Sequence, residues 1–247
     1  MEIFSHEKND FKDLLYDESK KINIELNNEQ LEQFEKYKEL LVEWNTKMNL
    51  TAITEDYQVI MKHFIDSLEV VKYIKEDSKI IDVGTGAGFP GIVVAIYFNN
   101  KIKITLMDAL NKRINFLNEI IKELKLPNVE IVHARAEEIS RKEEYREKYD
   151  YALSRAVAPL NILLEYDIPF VKVNGKCLLL KGSKVDEEIK NSKKALEVLK
   201  SDISNIYEYN YIVDNEEYKR NIVEVTKQKI TNETYPRNYG KIKKNPL

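Results

Sequence analysis

The chain has 247 residues but only one cysteine and three histidines. A disulfide framework is therefore excluded, and His6, His63, His133 and Cys177 offer no zinc-ligand spacing. Cys177 opens the apolar run Cys177–Leu180 with no histidine or basic cluster beside it, which reads as a buried strand thiol and not a nucleophile. No stretch approaches 18 consecutive apolar residues, so no transmembrane helix is expected. The opening residues, Met1 to Lys8, lack the basic-then-apolar layout of a secretory signal, and a cytoplasmic location is the expectation. No internal repeat or low-complexity linker is visible. Nothing in the sequence marks a membrane contact or an obligate protein partner.

Apolar residues make up 43 % of the chain, enough for one large domain, or one domain with a small appendage. The net charge of −3 conceals an uneven distribution. Residues 1–43 carry twelve acids against six bases, whereas residues 219–247 carry eight bases against Glu224 and Glu233. That basic end also holds Tyr235, Pro236 and Tyr239. The charge points to contact with nucleic-acid phosphates, with a solvated end as the alternative.

Glycine is sparse, at seven residues, yet three of them fall within five positions: Gly84, Gly86 and Gly88. They follow the apolar run from Ile80 to Val83, and a helix is expected to begin near Phe89. A tight glycine turn lets the backbone approach a ligand closely, and the helix start offers free N–H groups. The ligand is either a dinucleotide or S-adenosylmethionine. A dinucleotide fingerprint begins directly after its strand, but counting G-x-G-x-x-G from Gly84 puts Phe89 at the third glycine position. The G-x-G-x-G register after Asp82 favours S-adenosylmethionine. Asp108, after the apolar run Ile102, Ile104 and Leu106, can accept from both ribose hydroxyls of either cofactor.

Residues 1–60 read as a helical N-terminal extension and 61–247 as the main domain. From Asn28, taken as an N-cap, Leu31, Phe34, Tyr37, Leu41 and Trp44 form one apolar stripe; Leu14, Leu15 and Ile22 suggest an earlier helix. Beyond Ile80, strand and helix signals alternate. Strands are expected at 80–83, 102–107, 129–133, 151–154, 177–181, 206–213 and 221–226. Helices are expected at 89–97, 112–124, after Ala136, at 160–170 and at 185–200. Such alternation predicts an α/β fold with a mostly parallel seven-stranded sheet. The turn-forming 214–217 segment makes the last two strands an antiparallel hairpin.

In such a sheet, ligands bind beyond the carboxyl ends of the strands. The segments Gly84–Phe89, Asp108–Leu110, Ala134–Glu137, Ser154–Pro159 and Lys181–Lys184 occupy those positions. Glu137 can accept from an adenine amine beside the Ala136 backbone, or simply complement a helix dipole. Arg155 needs a partner, whether a cofactor carboxylate, a phosphate or a structural acid. Lys181 and Lys184 suit RNA backbone contacts or a solvated loop. His63 reads as structural, and Asn49 as a possible helix cap.

The ordered segments NLTAIT, KHFIDSL, DVGTGAGFPG, ARAEE, SRAVAPL, LLLKGSK and YPRNYGKIKKNPL, spanning about residue 45 to the C-terminus, resemble the ribosomal RNA small-subunit methyltransferase G family (RsmG, or GidB). The resemblance implies a class I, Rossmann-like methyltransferase that uses S-adenosyl-L-methionine to methylate guanine N7 at position 527 of bacterial 16S rRNA, naked or in the 30S particle. It carries cofactor contacts onto Gly84, Phe89, Ala136, Glu137 and Arg155; geometry adds Gly86 and Asp108. One departure is Ala109, where similar proteins often have serine after the acid. Guanine N7 has a lone pair and no proton, so no residue is assigned as a catalytic base. Two other readings predict different ligands: an NAD-dependent reductase, and a non-catalytic RNA-binding module that has lost its cofactor.

Overall fold

A computed structural model describes residues 10–247. Seven strands form one sheet: β1 (Lys79–Val83), β2 (Lys103–Asp108), β3 (Val129–His133), β4 (Tyr149–Arg155), β5 (Val171–Lys181), β6 (Ser201–Val213) and β7 (Glu216–Lys227). Their spatial order is β3-β2-β1-β4-β5-β7-β6. The first five are parallel, and β7 lies antiparallel between β5 and β6. Asp214 and Asn215 join the last two strands with φ of 53° and 63°. Positive φ at both central residues matches the strand twist of a two-residue hairpin. The expected parallel sheet with its terminal antiparallel pair is what the chain forms.

Strands 5 to 7 begin five or six residues earlier than their apolar runs. The added residues, such as 172–174 and 204–205, are mostly exposed, so apolar continuity could not mark them. The expected helix at 185–200 is two: α9 (Val185–Asn191) and α10 (Lys193–Val198). Between them, buried Ser192 donates from Oγ to Glu188 O at 2.6 Å, a back-bond that competes with regular helix. The remaining helices of this half are α5 (Gly91–Phe98), α6 (Asn111–Leu124), α7 (Ala136–Ile139), α8 (Leu160–Asp167) and α11 (Tyr239–Lys244). Helix α5 starts two residues later than expected, because 84–90 are spent on the turn.

Before the sheet come α1 (Phe11–Lys21) and α2 (Asn28–Met48). The cap of α2 is Asn27, not Asn28: its side chain accepts from Gln30 N while Gln30 Oε1 accepts from Asn27 N. A helical run over 56–73 follows, with α3 (Asp56–Val59), a wide π turn (Ile60–Ile65), α4 (Asp66–Leu68) and a tight 3₁₀ turn (Glu69–Tyr73). The expected boundary at residue 60 thus falls inside continuous helix. Residues 1–9 of the expected extension lie outside the described residues.

The sheet has an apolar layer on each face, since neighbouring strand residues point oppositely. Ile80 joins Phe34, Tyr37, Phe64 and helices α5 and α6 on one side. Ile81 joins α8, Cys177, Ile242 and Leu247 on the other. The N-terminal helices therefore form part of the first core layer, and the C-terminal tail closes the second. No helix among the described residues is long and apolar enough to cross a membrane.

Candidate functional site

The glycine turn is built around Asp82, at the end of β1. Asp82 is fully buried, and its Oδ2 accepts from Thr85 Oγ1 at 2.5 Å and from Gly91 N at 2.8 Å. The carboxylate thus ties both ends of the turn together. Burial pushes its pKa up to about 7 against the lowering effect of these hydrogen bonds. Gly84, Gly86 and Gly88 have φ of 73°, 64° and 100°, conformations that side chains with a Cβ rarely adopt.

The three glycines differ in what surrounds them. A Cβ on Gly88 would lie 2.6 Å from Ile92 Cγ1 and from Tyr37 Oη, so this glycine is needed for packing. A Cβ on Gly84 would lie 2.8 Å from Val157 Cγ2. On Gly86 it would meet nothing closer than Gly84 O at 4.0 Å. Gly86 therefore presents bare backbone to open space beyond the strand ends.

Asp108 ends β2 facing this turn. Its carboxylate accepts from Gly86 N at 3.0 Å, Leu110 N at 2.9 Å and Arg113 Nη1 at 3.0 Å. The acid expected to meet ribose hydroxyls is thereby oriented by one turn on each side, and Arg113 is a partner that sequence spacing did not reveal. Beyond β3, Ala136 is half-buried and Glu137 is buried at the start of α7, with Arg135 Nη1 3.9 Å from Glu137 Oε1. Gly84, Gly86, Asp108, Ala136 and Glu137 thus line the ends of three adjacent strands, in the order β1, β2, β3. This is a cradle of bare backbone and acceptors that fits a nucleoside with vicinal hydroxyls and an amine.

Phe89 and Arg155 occupy a different environment. The Phe89 ring is buried, stacked between Tyr37 at 5.2 Å and His63 at 4.6 Å, with the Arg155 guanidinium 4.8 Å from its centroid. Arg155 Nη1 donates to Asp66 Oδ2 at 2.9 Å and to Lys62 O at 3.0 Å. Asp66 is thus a structural acid partner of the kind the sequence left open for it. Asp66 also accepts from Tyr209 Oη at 3.0 Å, and Arg220 Nε lies 3.5 Å away. The wide π turn exposes the Lys62 carbonyl that Arg155 takes, and such turns recur at functional sites.

His63 sits in the same turn. Its Nδ1 lies 3.1 Å from Lys62 O and 3.3 Å from Arg155 Nη2, and its Nε2 lies 3.0 Å from Thr51 Oγ1. Burial first, and the Arg155 charge second, lower its pKa from 6.5 to about 3. It is a neutral structural ring. Asn49, the C-cap of α2, adopts a left-handed φ of 48°.

Tyr37 was legible only as part of the apolar stripe of α2, yet its buried hydroxyl donates to Ala87 O at 2.6 Å. The N-terminal helices thus hold the glycine turn from behind.

The basic C-terminal segment is mostly a strap. Lys227 is buried and its Nζ pairs with Glu147 Oε1 at 2.6 Å. Arg237 donates through Nε and Nη2 to fully buried Glu165, at 2.9 and 2.7 Å. Arg141 and Arg146 grip carbonyls of 231–236, among them Thr234 O at 3.0 Å and Tyr235 O at 3.0 Å. The basic charge that pointed to nucleic-acid phosphates is therefore partly spent inside the protein: Lys227, Arg237 and Arg220 are engaged there. Lys219, Lys229, Lys241, Lys243 and Lys244 stay exposed. Lys181 is likewise buried and occupied, donating to Ala158 O at 2.7 Å and to Glu188 Oε2 at 2.8 Å, whereas Lys184 is exposed.

The chain matches the model of a family described as rRNA small subunit methyltransferase G over residues 30–223. It is 49 % identical to a ribosomal RNA small subunit methyltransferase G of Acetivibrio thermocellus, covering 95 % of this chain and 96 % of the relative. A relative of the same name from Thermoanaerobacter pseudethanolicus is 48 % identical, covering 97 % of this chain and all of the other. Among solved structures, an S-adenosylmethionine-dependent methyltransferase of Aquifex aeolicus superposes with a TM-score of 0.52 at 20 % identity, covering 68 % and 93 % of the two chains. M. jannaschii TYW2, solved in complex with AdoMet, gives 0.51 at 18 % identity, covering 66 % and 76 %. These two likenesses support the fold.

Proposed function

Because the chain belongs to the rRNA small subunit methyltransferase G family, we propose that it methylates N7 of a guanine in 16S rRNA, at the position 527 that the family resemblance implies. As a member of that family it is an S-adenosylmethionine-dependent rRNA methyltransferase. The reductase and the non-catalytic binding module are set aside on that ground. The observation that carries the site assignment is Gly86, whose backbone faces open space at a left-handed φ while its N–H orients Asp108.

In this reading Asp108 accepts from the ribose hydroxyls, Gly84 and Gly86 allow close approach of the amino-acid moiety, and Glu137 with the Ala136 backbone reads the adenine. Phe89, enclosed by Tyr37 and His63, contributes through the backbone of its turn. Arg155 acts from behind, holding the π turn and the β4 end together through Asp66 and Lys62 O. When bound, the cofactor supplies a sulfonium methyl: the N7 lone pair forms the new C–N bond, the C–S pair stays on sulfur, and the positive charge passes to the base. N7 carries no proton, so the residues here need only position the reactants and exclude water.

Exposed Lys241, Lys243 and Lys244 on α11 supply phosphate contacts. Of these, Lys241 borders a cleft of about 890 Å³ that also includes Arg135, Glu137 and Tyr239. The bacterial cytoplasm is the compartment this substrate implies. Transfer of labelled methyl from S-adenosylmethionine to unmodified 16S rRNA and to 30S particles, with the 7-methylguanosine mapped by chemical cleavage, tests the proposal. Label on neither substrate, or label on another base, overturns it.

A further inference from the structure

A second cleft, of about 580 Å³, opens beyond the carboxyl ends of β4 and β5. It lies across the β1/β4 boundary from the cradle of Gly86, Asp108 and Glu137, which uses the ends of β1, β2 and β3. Its volume is that of a small-molecule site. The two regions share a wall, because Val157 packs against Gly84 so closely that a Cβ there would not fit. Beside it, Ala156 has φ of 55°, a strained conformation for a residue with a Cβ. Val157 itself is 37 % exposed, an apolar surface turned outward at the shared edge.

The charged groups of the cleft are not equivalent. Arg155 is held by Asp66, and Lys181 by Ala158 O and Glu188. Lys62 has no carboxylate within 4.0 Å among the described residues; its Nζ lies 4.7 Å from the centre of the Tyr218 ring. The Arg220 guanidinium stands 5.4 Å from the same ring. Arg220 is tied to Asp66, its Nε 3.5 Å from Oδ1, and the Tyr218 ring is stacked on Tyr211, so Lys62 is the cation of the cleft suited to a phosphate. Deeper in, Glu188 Oε2 accepts from Leu160 N at 2.7 Å and from Lys181 Nζ. Glu188 Oε1 has no hydrogen-bond partner among the described residues, and the side chain is 24 % exposed.

We propose that this cleft receives the target nucleotide once it leaves its RNA stack, with Glu188 selecting guanine by accepting from its N1–H and N2 amine. This rests on the methyltransferase reading above and adds the base-reading site to it. A carboxylate oxygen matches the two donors of guanine, whereas adenine would oppose it with the bare N1 acceptor. In guanine, N7 lies across the base from N1 and the N2 amine. A base held by Glu188, on the β5 and α9 side, therefore turns N7 toward the β1/β4 boundary and the cofactor turn. Lys62 holds the phosphate at the rim. Extrusion of the base from its stack is the general requirement for chemistry on a stacked nucleobase.

The test uses the full chain and 16S rRNA carrying either guanine or hypoxanthine at the target position; hypoxanthine keeps N7 and N1–H but lacks the N2 amine. Wild type should prefer guanine in kcat/KM. Glu188→Gln keeps an oxygen for Leu160 N but turns an acceptor into an amide. It should lower kcat/KM on the guanine substrate about tenfold or more and bring the guanine-to-hypoxanthine ratio toward one, with S-adenosylmethionine affinity unchanged by calorimetry. Lys62→Ala should raise KM for rRNA and leave that ratio intact, a readout independent of the Glu188 packing. An unchanged ratio in Glu188→Gln, while wild type methylates rRNA, overturns this inference alone. No methyl transfer to rRNA by wild type overturns the function itself.

Discussion

Replacing Gly86 by alanine separates the cofactor role of the turn from its structural role. A Cβ at Gly86 finds no protein atom closer than 4.0 Å, so no clash within the protein is introduced. The φ of 64° remains, and holding alanine there costs roughly 1–2 kcal/mol. For a chain of this size that lowers Tm by about 2–8 °C. The new methyl points into the space assigned to the cofactor. S-adenosylmethionine affinity measured by calorimetry should therefore fall about tenfold or more in a protein that is still folded. Gly91→Ala is the contrasting variant. Its Cβ would run into buried Leu106 and lie 2.6 Å from Asp82 Oδ2, the oxygen that ties the turn together. Overpacking of this kind costs about 1–3 kcal/mol and should lower Tm first, with affinity following the loss of the turn. Unchanged affinity in folded Gly86→Ala would refute the placement of the cofactor over this turn.

Arg155→Ala breaks a largely buried ion pair with Asp66 and frees the Lys62 carbonyl; the loss should be about 3 kcal/mol of stability, read in chemical denaturation, and an unaltered midpoint would refute the structural role. Arg237→Ala leaves Glu165 buried without its guanidinium partner and should cost a similar ~3 kcal/mol, whereas the triple change Lys241→Ala, Lys243→Ala and Lys244→Ala should leave Tm unchanged. That triple variant should flatten the salt dependence of RNA binding by up to about 0.7 log units per lost contact, and a full wild-type slope would place the phosphate surface elsewhere. His63 titrates near 3 when folded against 6.5 ordinarily, so between those values the unfolded chain binds the extra proton. Its contribution is fully present above 6.5 and is lost as pH falls toward 3, with a slope of at most ~1.4 kcal/mol per pH unit. Denaturation midpoints of wild type should fall more steeply than those of His63→Gln over that range, and parallel curves would contradict the buried neutral ring.

What the sequence determined by itself is whatever depends on local periodicity and backbone chemistry. Alternating apolar runs and helical stripes located all seven strands, because one buried face of each element must recur at its own period. The glycine register after Asp82 marked the tight turn proposed for the cofactor, since glycine takes left-handed positions without a Cβ clash. The Asp214–Asn215 turn was equally local, and it made the final strand pair antiparallel. Tertiary structure alone decided which charges are spent. Arg155 and Lys181 stayed open between ligand and structural roles in the sequence, and Arg237 was one base of a basic tail, because the partners Asp66, Glu188 and Glu165 stand 89, 7 and 72 residues away along the chain and no periodicity links them. Tyr37 fits an apolar stripe whether or not its hydroxyl holds Ala87 O, so its grip on the turn was invisible until α2 was seen to pack behind it. The same holds for the two clefts. They exist because the β1/β4 boundary parts the strand ends, and because the helical run over 56–73 and the β6–β7 hairpin close over one side.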